Sequence, residues 1–278
     1  MSAVQVSNGA VAAAERPEPA PPRKPRGWYR RLGLLQLVSV ASVLVAIAIW
    51  QAVVSLGWVD PLYVSSPRDV ITSFGDLIRN GSLQRNIWIS VQELLLGFGA
   101  AAIVGIPIGV LCGRVPLGNA VLSPFISGGW VMPRIALIPI VTLWFGIGLF
   151  EKIVVVFLMC VFPIIVLVTT GVQNISRDLL RVAQSLGGTR FWRFRTLILP
   201  ASVPSMVAGL RLGFGMGVIG VVVSELYGST GGLGYLLVNA SANFQMGTTF
   251  AAIVVLVLIG MLGMGVLSAI EKRFNKWR

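Results

Sequence analysis

The sequence predicts an all-α, polytopic membrane protein with six transmembrane helices, and three observations carry that expectation. Of 278 residues, 55% are hydrophobic and only 12% are charged, whereas a soluble domain averages roughly 25% charged residues. Apolar runs near the ~20 residues that a helix needs to cross a bilayer recur along the chain. Lys and Arg are unevenly placed, although the formal net charge is +12. They crowd the N-terminal tail, Arg114, the stretch from Arg177 to Arg211 and the C-terminal tail. The alternate segments hold Arg68, Arg79, Arg85 and Lys152, with Arg134 inside an apolar run. Six crossings put both termini on one side, and the positive-inside principle makes that side the cytoplasm. Charge segregated in this way reads as a topology signal and argues against a nucleic-acid surface.

The elements follow in order. Residues 1–31 are rich in Ala and Pro and carry Arg16, Arg23, Lys24, Arg26, Arg30 and Arg31. Such a segment lacks the apolar residues to build a core and is expected as a disordered basic cytoplasmic tail that can touch anionic lipid. Residues 32–278 form the six-span domain. The first span, Leu34 to about Ser55, exceeds the ~7–15 residues of a signal-peptide core and is expected as a retained anchor. Ser65-Ser66-Pro67-Arg68 opens a short amphipathic helix to Arg79, with Ser66 as cap and Pro67 at its first position, expected on the membrane surface. The second span, Asn86 to about Gly113, contains Gln92 and Glu93, then glycines suited to close helix contact, and a kink is expected at Pro107. Residues 119–150 are long for one span and are interrupted by Pro124, Pro133 and Pro139. They are expected as a short interfacial segment followed by a crossing helix, with Glu151 and Lys152 at its outer edge. Ile153 to Gly171 is the fourth span, Val203 to about Tyr227 the fifth, and Thr248 to about Ile270 the sixth. Between the last two, Gly228 to Gly247 is an uncharged outer loop. Trp28, Tyr29, Trp50, Trp58, Trp88 and Trp130 fall near span ends, as the interfacial aromatic belt predicts.

The loop at 173–204 is the longest basic passage between spans. Leu179, Val182, Ala183 and Leu186 recur at helical spacing and give a short helix one apolar face, with Arg181, Gln184 and Ser185 pointing elsewhere. Ser176 is its expected cap and Asp178 suits the first turn. Gly187-Gly188 stops it, because glycine reaches the left-handed conformation without a Cβ clash. Thr189 caps a second helix, which Pro200 and Pro204 are expected to end or bend. Two short helices at a Gly-Gly turn make a candidate docking surface.

Several chemistries are not supported. The chain has no histidine, which removes the commonest general base and the usual catalytic triads. No Gly-x-x-x-x-Gly-Lys-Ser/Thr loop is present, so ATP hydrolysis is not expected on this chain. Cys112 and Cys160 lie in apolar runs and read as packed thiols; no metal or cofactor site is expected. Charged residues in spans are functional candidates by default. Arg134 either faces a path and attracts an anion, or snorkels to the interface or pairs for packing alone. Glu225 either gates a path, pairs across a dimer or reaches outer water. Glu93 either pairs with Arg85 or holds helices together.

The 173–204 loop resembles the one that permease subunits of ABC importers present to their ATPase. In that pattern Ala183 matches the second Ala of Glu-Ala-Ala, Gly187 the following Gly, and Leu197-Ile198-Leu199-Pro200 the ending. Arg181 and Val182 depart from Glu and Ala. Ser65-Ser66-Pro67, the run Leu143-Trp144-Phe145-Gly146-Ile147-Gly148, and Glu225 followed by Gly232-Leu233-Gly234 resemble the nitrate, taurine and aliphatic sulfonate importer group. The resemblance implies a type I ABC importer permease fold and a function: moving a small anionic organic solute delivered by an extracytoplasmic binding protein. It also implies two ATPase subunits, a second permease copy, and coupling through Arg181, Val182, Ala183, Gln184, Gly187, Leu197, Leu199 and Pro200. Arg134 and Glu225 are the candidates for the translocation path. The alternative is a stand-alone secondary transporter or channel.

Overall fold

The computed structural model describes residues 28–60 and 62–274. Every regular element among them is helical. Contacts divide the chain at Ile49. The first unit holds most of α1 (Trp28–Ser55), an apolar helix of spanning length. Because α1 starts at Trp28, the last four residues of the expected 1–31 tail are helical; residues 1–27 lie outside the described residues.

The second unit is organised around α6 (Leu149–Gln173), half of whose most apolar stretch is buried. It packs between α3 (Ser82–Arg114) and α9 (Leu199–Leu226). The contact with α3 is a register of small against branched residues. Gly97, Gly105, Gly109 and Gly113 of α3 face Val156, Ile164, Val168 and Val172 of α6. Gly209, Gly213, Gly217 and Gly220 of α9 lie against Ile164, Cys160 and Met159. Two glycine-lined helices therefore close on one branched helix, which replaces hydrophobic driving force with van der Waals contact, as membrane packing requires. Both α3 and α6 run through their internal prolines, Pro107 and Pro163.

The short helix α2 (Pro67–Arg79) starts where its residue types require. Ser66 accepts from the Asp69 N–H at 3.1 Å, the Asp69 carboxylate accepts from the Ser66 N–H, and Pro67 occupies the first turn. Its Val70 and Leu77 pack with Leu83, Leu233, Ala251 and Val255, so part of the face expected against lipid is covered by protein, while Ile71 remains exposed. Gly75 lies inside this helix with open space where a Cβ would stand. Gly75→Ala is expected to raise stability by about 0.5–1 kcal/mol through helix propensity alone, checked as a higher thermal midpoint of the purified chain.

The expectation for residues 119–150 is corrected. α4 (Pro116–Val131) is followed by a 3-10 turn at Arg134–Leu137 and by α5 (Ile138–Phe145), and the two limbs meet at 91°. Neither limb reaches spanning length by itself, so among the described residues five helices qualify as spans and a sixth is counted only as this bent pair. Proline clustering marked the break; the short second limb was not visible in it.

The fifth span is also corrected. α7 (Arg177–Ser185) is separate, but α8 (Arg190–Arg193) runs through a π turn, Phe194–Ile198, straight into α9. Pro200 neither ends nor breaks it. A proline has no N–H for the residue four back and its ring crowds that carbonyl. Here Leu199 N–H donates to Phe194 O, five residues back, and this widened turn accommodates Pro200 in the first turn of α9. The outer loop also holds a helix that was not expected, α10 (Leu233–Ala242), and α11 (Met246–Phe274) extends beyond the expected end of the sixth span.

Candidate functional site

Two sites lie at opposite ends of α3 and α6. The first is the basic hairpin. Gly187 has φ +76° and its N–H donates to Gln184 O at 3.0 Å, while the Gly188 N–H reaches Ala183 O at 3.1 Å. These two bonds close the C-terminus of α7. Thr189 Oγ1 accepts from Trp192 N–H at 3.1 Å and caps α8 as expected. Ser176 occupies the cap position of α7, but its side chain makes no cap bond. Arg193 donates to Gln184 Oε1 at 3.3 Å and ties the two helices.

The hairpin's exposure decides its reading. The apolar face expected from spacing does not fold inward as a whole. Ala183 is buried, but Leu179, Val182 and Leu186 are 52%, 56% and 76% exposed, and Phe191 is exposed beside them. Arg181, in the place of the pattern's Glu, stands 3.5 Å from Asp178 on the surface. Leu197 is half-buried, Leu199 and Pro200 are exposed, and Ile198 is locked in the core.

The second site is a buried polar cluster at the far end, and sequence reading found only part of it. Glu225, expected at outer water among other readings, is 1% exposed. Ser90 Oγ donates to its Oε1 at 2.5 Å, and the Gly234 N–H donates to its Oε2. Ser90 Oγ in turn accepts from Leu233 N–H at 2.8 Å, and Asn86 Oδ1 accepts from Gly232 N–H at 2.8 Å. The α9–α10 turn is thus held by three side chains. Gly232, at φ +108°, is required there twice over: its conformation disfavours other residues, and a Cβ would fall on the Glu225 carboxylate. Glu93 does not meet Arg85 but lies beside Glu225 and Lys152. Glu151 and Lys152, expected at the outer edge, are buried, 3.7 Å apart, and Thr142 Oγ1 donates to Glu151 Oε1 at 3.2 Å. Asn86, Ser90 and Glu93 fall at helical spacing on one face of α3, a stripe visible in the sequence that the reading by individual charges passed over.

Arg134 is brought to neither site. Its Nη1 donates to Met159 O at 3.0 Å, its Nη2 to Trp130 O at 3.4 Å, and its guanidinium lies about 6 Å from the Trp130 and Phe162 rings. It ties the bend after α4 to α6. Arg134→Ala is expected to cost about 1–3 kcal/mol, checked by thermal unfolding in detergent. Arg134→Lys should recover at most part of this, since an ammonium lacks the planar fork.

The hairpin pattern and the Glu225–Gly234 lock stand together in a family match: the binding-protein-dependent transport system inner membrane component family matches residues 105–276. The chain belongs to that family. SsuC of Bacillus subtilis, a permease named for aliphatic sulfonates transport, is 31% identical over 95% of this chain and 93% of its own. TauC of Escherichia coli, a taurine transport system permease protein, is 29% identical over 90% of this chain and 93% of its own. A chain of the methionine ABC transporter MetNI, in an inward-facing conformation, superposes with a TM-score of 0.59 at 20% identity, covering 69% of this chain and 95% of that one. That likeness establishes the fold. The chain is a multi-pass membrane permease subunit of an ABC importer, and the transport subunit itself is not an enzyme.

Proposed function

We propose that this permease moves a small organic sulfonate, of the aliphatic or taurine type, delivered by an extracytoplasmic binding protein and driven by a separate ATPase. Two permease copies form the path at their interface and two ATPase subunits engage their hairpins. Both termini and the hairpin lie in the cytoplasm of a cell whose plasma or inner membrane holds the complex, because the basic residues gather on that side. The observation that carries the energy-coupling reading is the exposed apolar and basic hairpin: Leu179, Val182, Leu186 and Phe191 stand out of the fold on two short helices fixed by Gly187 and Thr189. The run of helix from Arg190 to Leu226 makes α8 the end of a membrane lever, so a push on the hairpin moves α9 as a rigid body. Arg181, Val182, Ala183, Gln184, Gly187, Leu197, Leu199 and Pro200 form the coupling element. Arg134 and Glu225 serve the path as positioning residues, the first at the α4 bend and the second at the α9–α10 turn.

The sulfonate assignment rests on the names of the relatives. Its test is uptake of labelled taurine and ethanesulfonate by cells lacking their own sulfonate importers, with the full transporter restored. Uptake that excess nitrate leaves unchanged and excess sulfonate abolishes supports the class. Uptake blocked by nitrate instead overturns it.

A further inference from the structure

α4 and α6 share a groove of about 210 Å³ whose lining is polar but carries no charge. α4 contributes Asn119, Ser123 and Ser127, and α6 contributes Thr169, Thr170 and Gln173. Asn119, Ser123 and Ser127 follow at i, i+4 spacing and so form one stripe along α4. Leu117, Val121 and Phe125 form a second stripe on the opposite side of the helix, and all three are exposed. α4 is therefore two-sided: one stripe suits hydrocarbon and the other does not.

The hydrogen bonds show which polar groups the fold uses. Thr169 Oγ1 donates to Gly109 O of α3 at 3.2 Å, and Thr170 Oγ1 donates to Val166 O of its own helix at 2.9 Å. Among the described residues, the side chains of Asn119, Ser123, Ser127 and Gln173 have no hydrogen-bond partner. Serines elsewhere in the long helices bond back to their own backbone, as Ser202, Ser224 and Ser268 do. Asn119 and Ser123 are half-buried, and Ser127 and Gln173 are exposed, so their polar atoms are open to whatever fills the groove. An amide or hydroxyl left without a partner in hydrocarbon is costly. A row of them on otherwise apolar helices marks a surface that water wets.

We propose, on the transport function and orientation given above, that this groove is the cytoplasmic mouth of the translocation path, filled with water and crossed by the solute as it leaves. Asn119 lies in the first turn of α4 and Gln173 is the last residue of α6, so the groove opens at the same end as Arg114 and the hairpin. Ser127 stands roughly 12 Å further along α4, at 1.5 Å per residue. Beyond it the helices touch, with no room for a Cβ between Gly129 and the Phe162 ring. The chemistry suits an exit. Hydroxyl and amide groups exchange hydrogen bonds readily with water and with the oxygens of an anionic solute. With no fixed charge in the lining, the anion is not held back, and weak contacts let it leave.

The test is thiol labelling of the assembled transporter in inside-out membrane vesicles, with the anionic, impermeant reagent sulfonatoethyl methanethiosulfonate. Ser123→Cys and Ser127→Cys place a thiol in the groove; Val121→Cys and Phe125→Cys place one on the opposite stripe at matching depth. The parent is the blank, because Cys112 and Cys160 are both buried. The thiolate is the reactive form and arises where water reaches the sulfur, so the groove thiols should react at least about tenfold faster than the opposite pair. The modified Ser123→Cys complex should lose most of its ATP-driven uptake, since the added group fills the groove. Groove thiols that react no faster than the opposite pair, or only from the outer side of intact cells, overturn the proposal, as does full uptake by the modified complex. Ser123→Cys and Ser127→Cys are read separately, so one variant that fails to assemble does not remove the test. Labelling needs neither ATP nor solute, so its failure leaves the importer reading standing. Uptake without ATP would overturn that reading and leave the labelling pattern as it is.

Discussion

Gly187→Asp is expected to yield an inserted, stable chain that no longer holds its ATPase. Three facts set this outcome. Gly187 is at φ +76° and closes α7 through its own N–H. A Cβ there meets nothing within 4 Å, so a side chain is not refused by the fold. Aspartate tolerates the left-handed region better than most residues, which keeps the conformational cost to about 1 kcal/mol. What changes is the tip of the hairpin: a carboxylate now projects from a turn whose flanking helices carry Arg181, Arg190 and Arg193, where a partner would approach. Co-purification of the ATPase should fall by about tenfold or more, equivalent to roughly 1.4 kcal/mol of lost association, with the chain's own thermal midpoint nearly unmoved. Normal co-purification at an unchanged midpoint would remove the hairpin from the coupling interface.

Gly232→Val is expected to act in the opposite way, on the protein itself. At φ +108° a β-branched residue is strained, at about 1–2 kcal/mol. Its Cβ would fall on the Glu225 carboxylate, which Ser90 and the Gly234 N–H hold in place. Displacing that carboxylate leaves a buried charge-bearing group without its donors, a loss of roughly 3–5 kcal/mol. Against a total stability of about 5–15 kcal/mol, the variant should fail to accumulate in the membrane or unfold far below the parent. Gly231→Ala is the control, since its Cβ meets chiefly the far end of the Ile89 side chain, and it should be mild. Equal accumulation and equal midpoints for Gly232→Val and the parent would show that the turn does not depend on the Glu225 lock.

These two positions also mark what could be read from the sequence and what could not. Local features were legible because their physics is local. Ser66 and Pro67 start α2, Thr189 starts α8 and Gly187 ends α7, each through residue types that satisfy backbone groups within one turn. The spans were legible from hydropathy. Features made by distant segments were not. Glu225 meets Ser90 across 135 residues of chain, and no spacing rule links Glu93 to Lys152. Lys152 looked like an edge marker because charge beside a span ordinarily faces water; here packing of α3, α6 and α9 encloses it. Pro200 looked like a helix stop because the rule assumes α-helical hydrogen bonding, and the π turn at Phe194–Ile198 suspends that assumption. Pro124, Pro133 and Pro139 announced a break but not a 91° bend, which Arg134 ties to α6 through Met159 O.

The central claim is that this chain moves solute only when a separate ATPase engages the hairpin. The most direct measurement is labelled sulfonate uptake into proteoliposomes containing the purified complex, with binding protein outside and ATP or a non-hydrolysable analogue within. Uptake that requires hydrolysable ATP, and that disappears with Gly187→Asp while the chain remains inserted, is the predicted result. Uptake by the chain alone, without ATP and driven by an imposed ion gradient, would contradict the account and make the protein a secondary transporter.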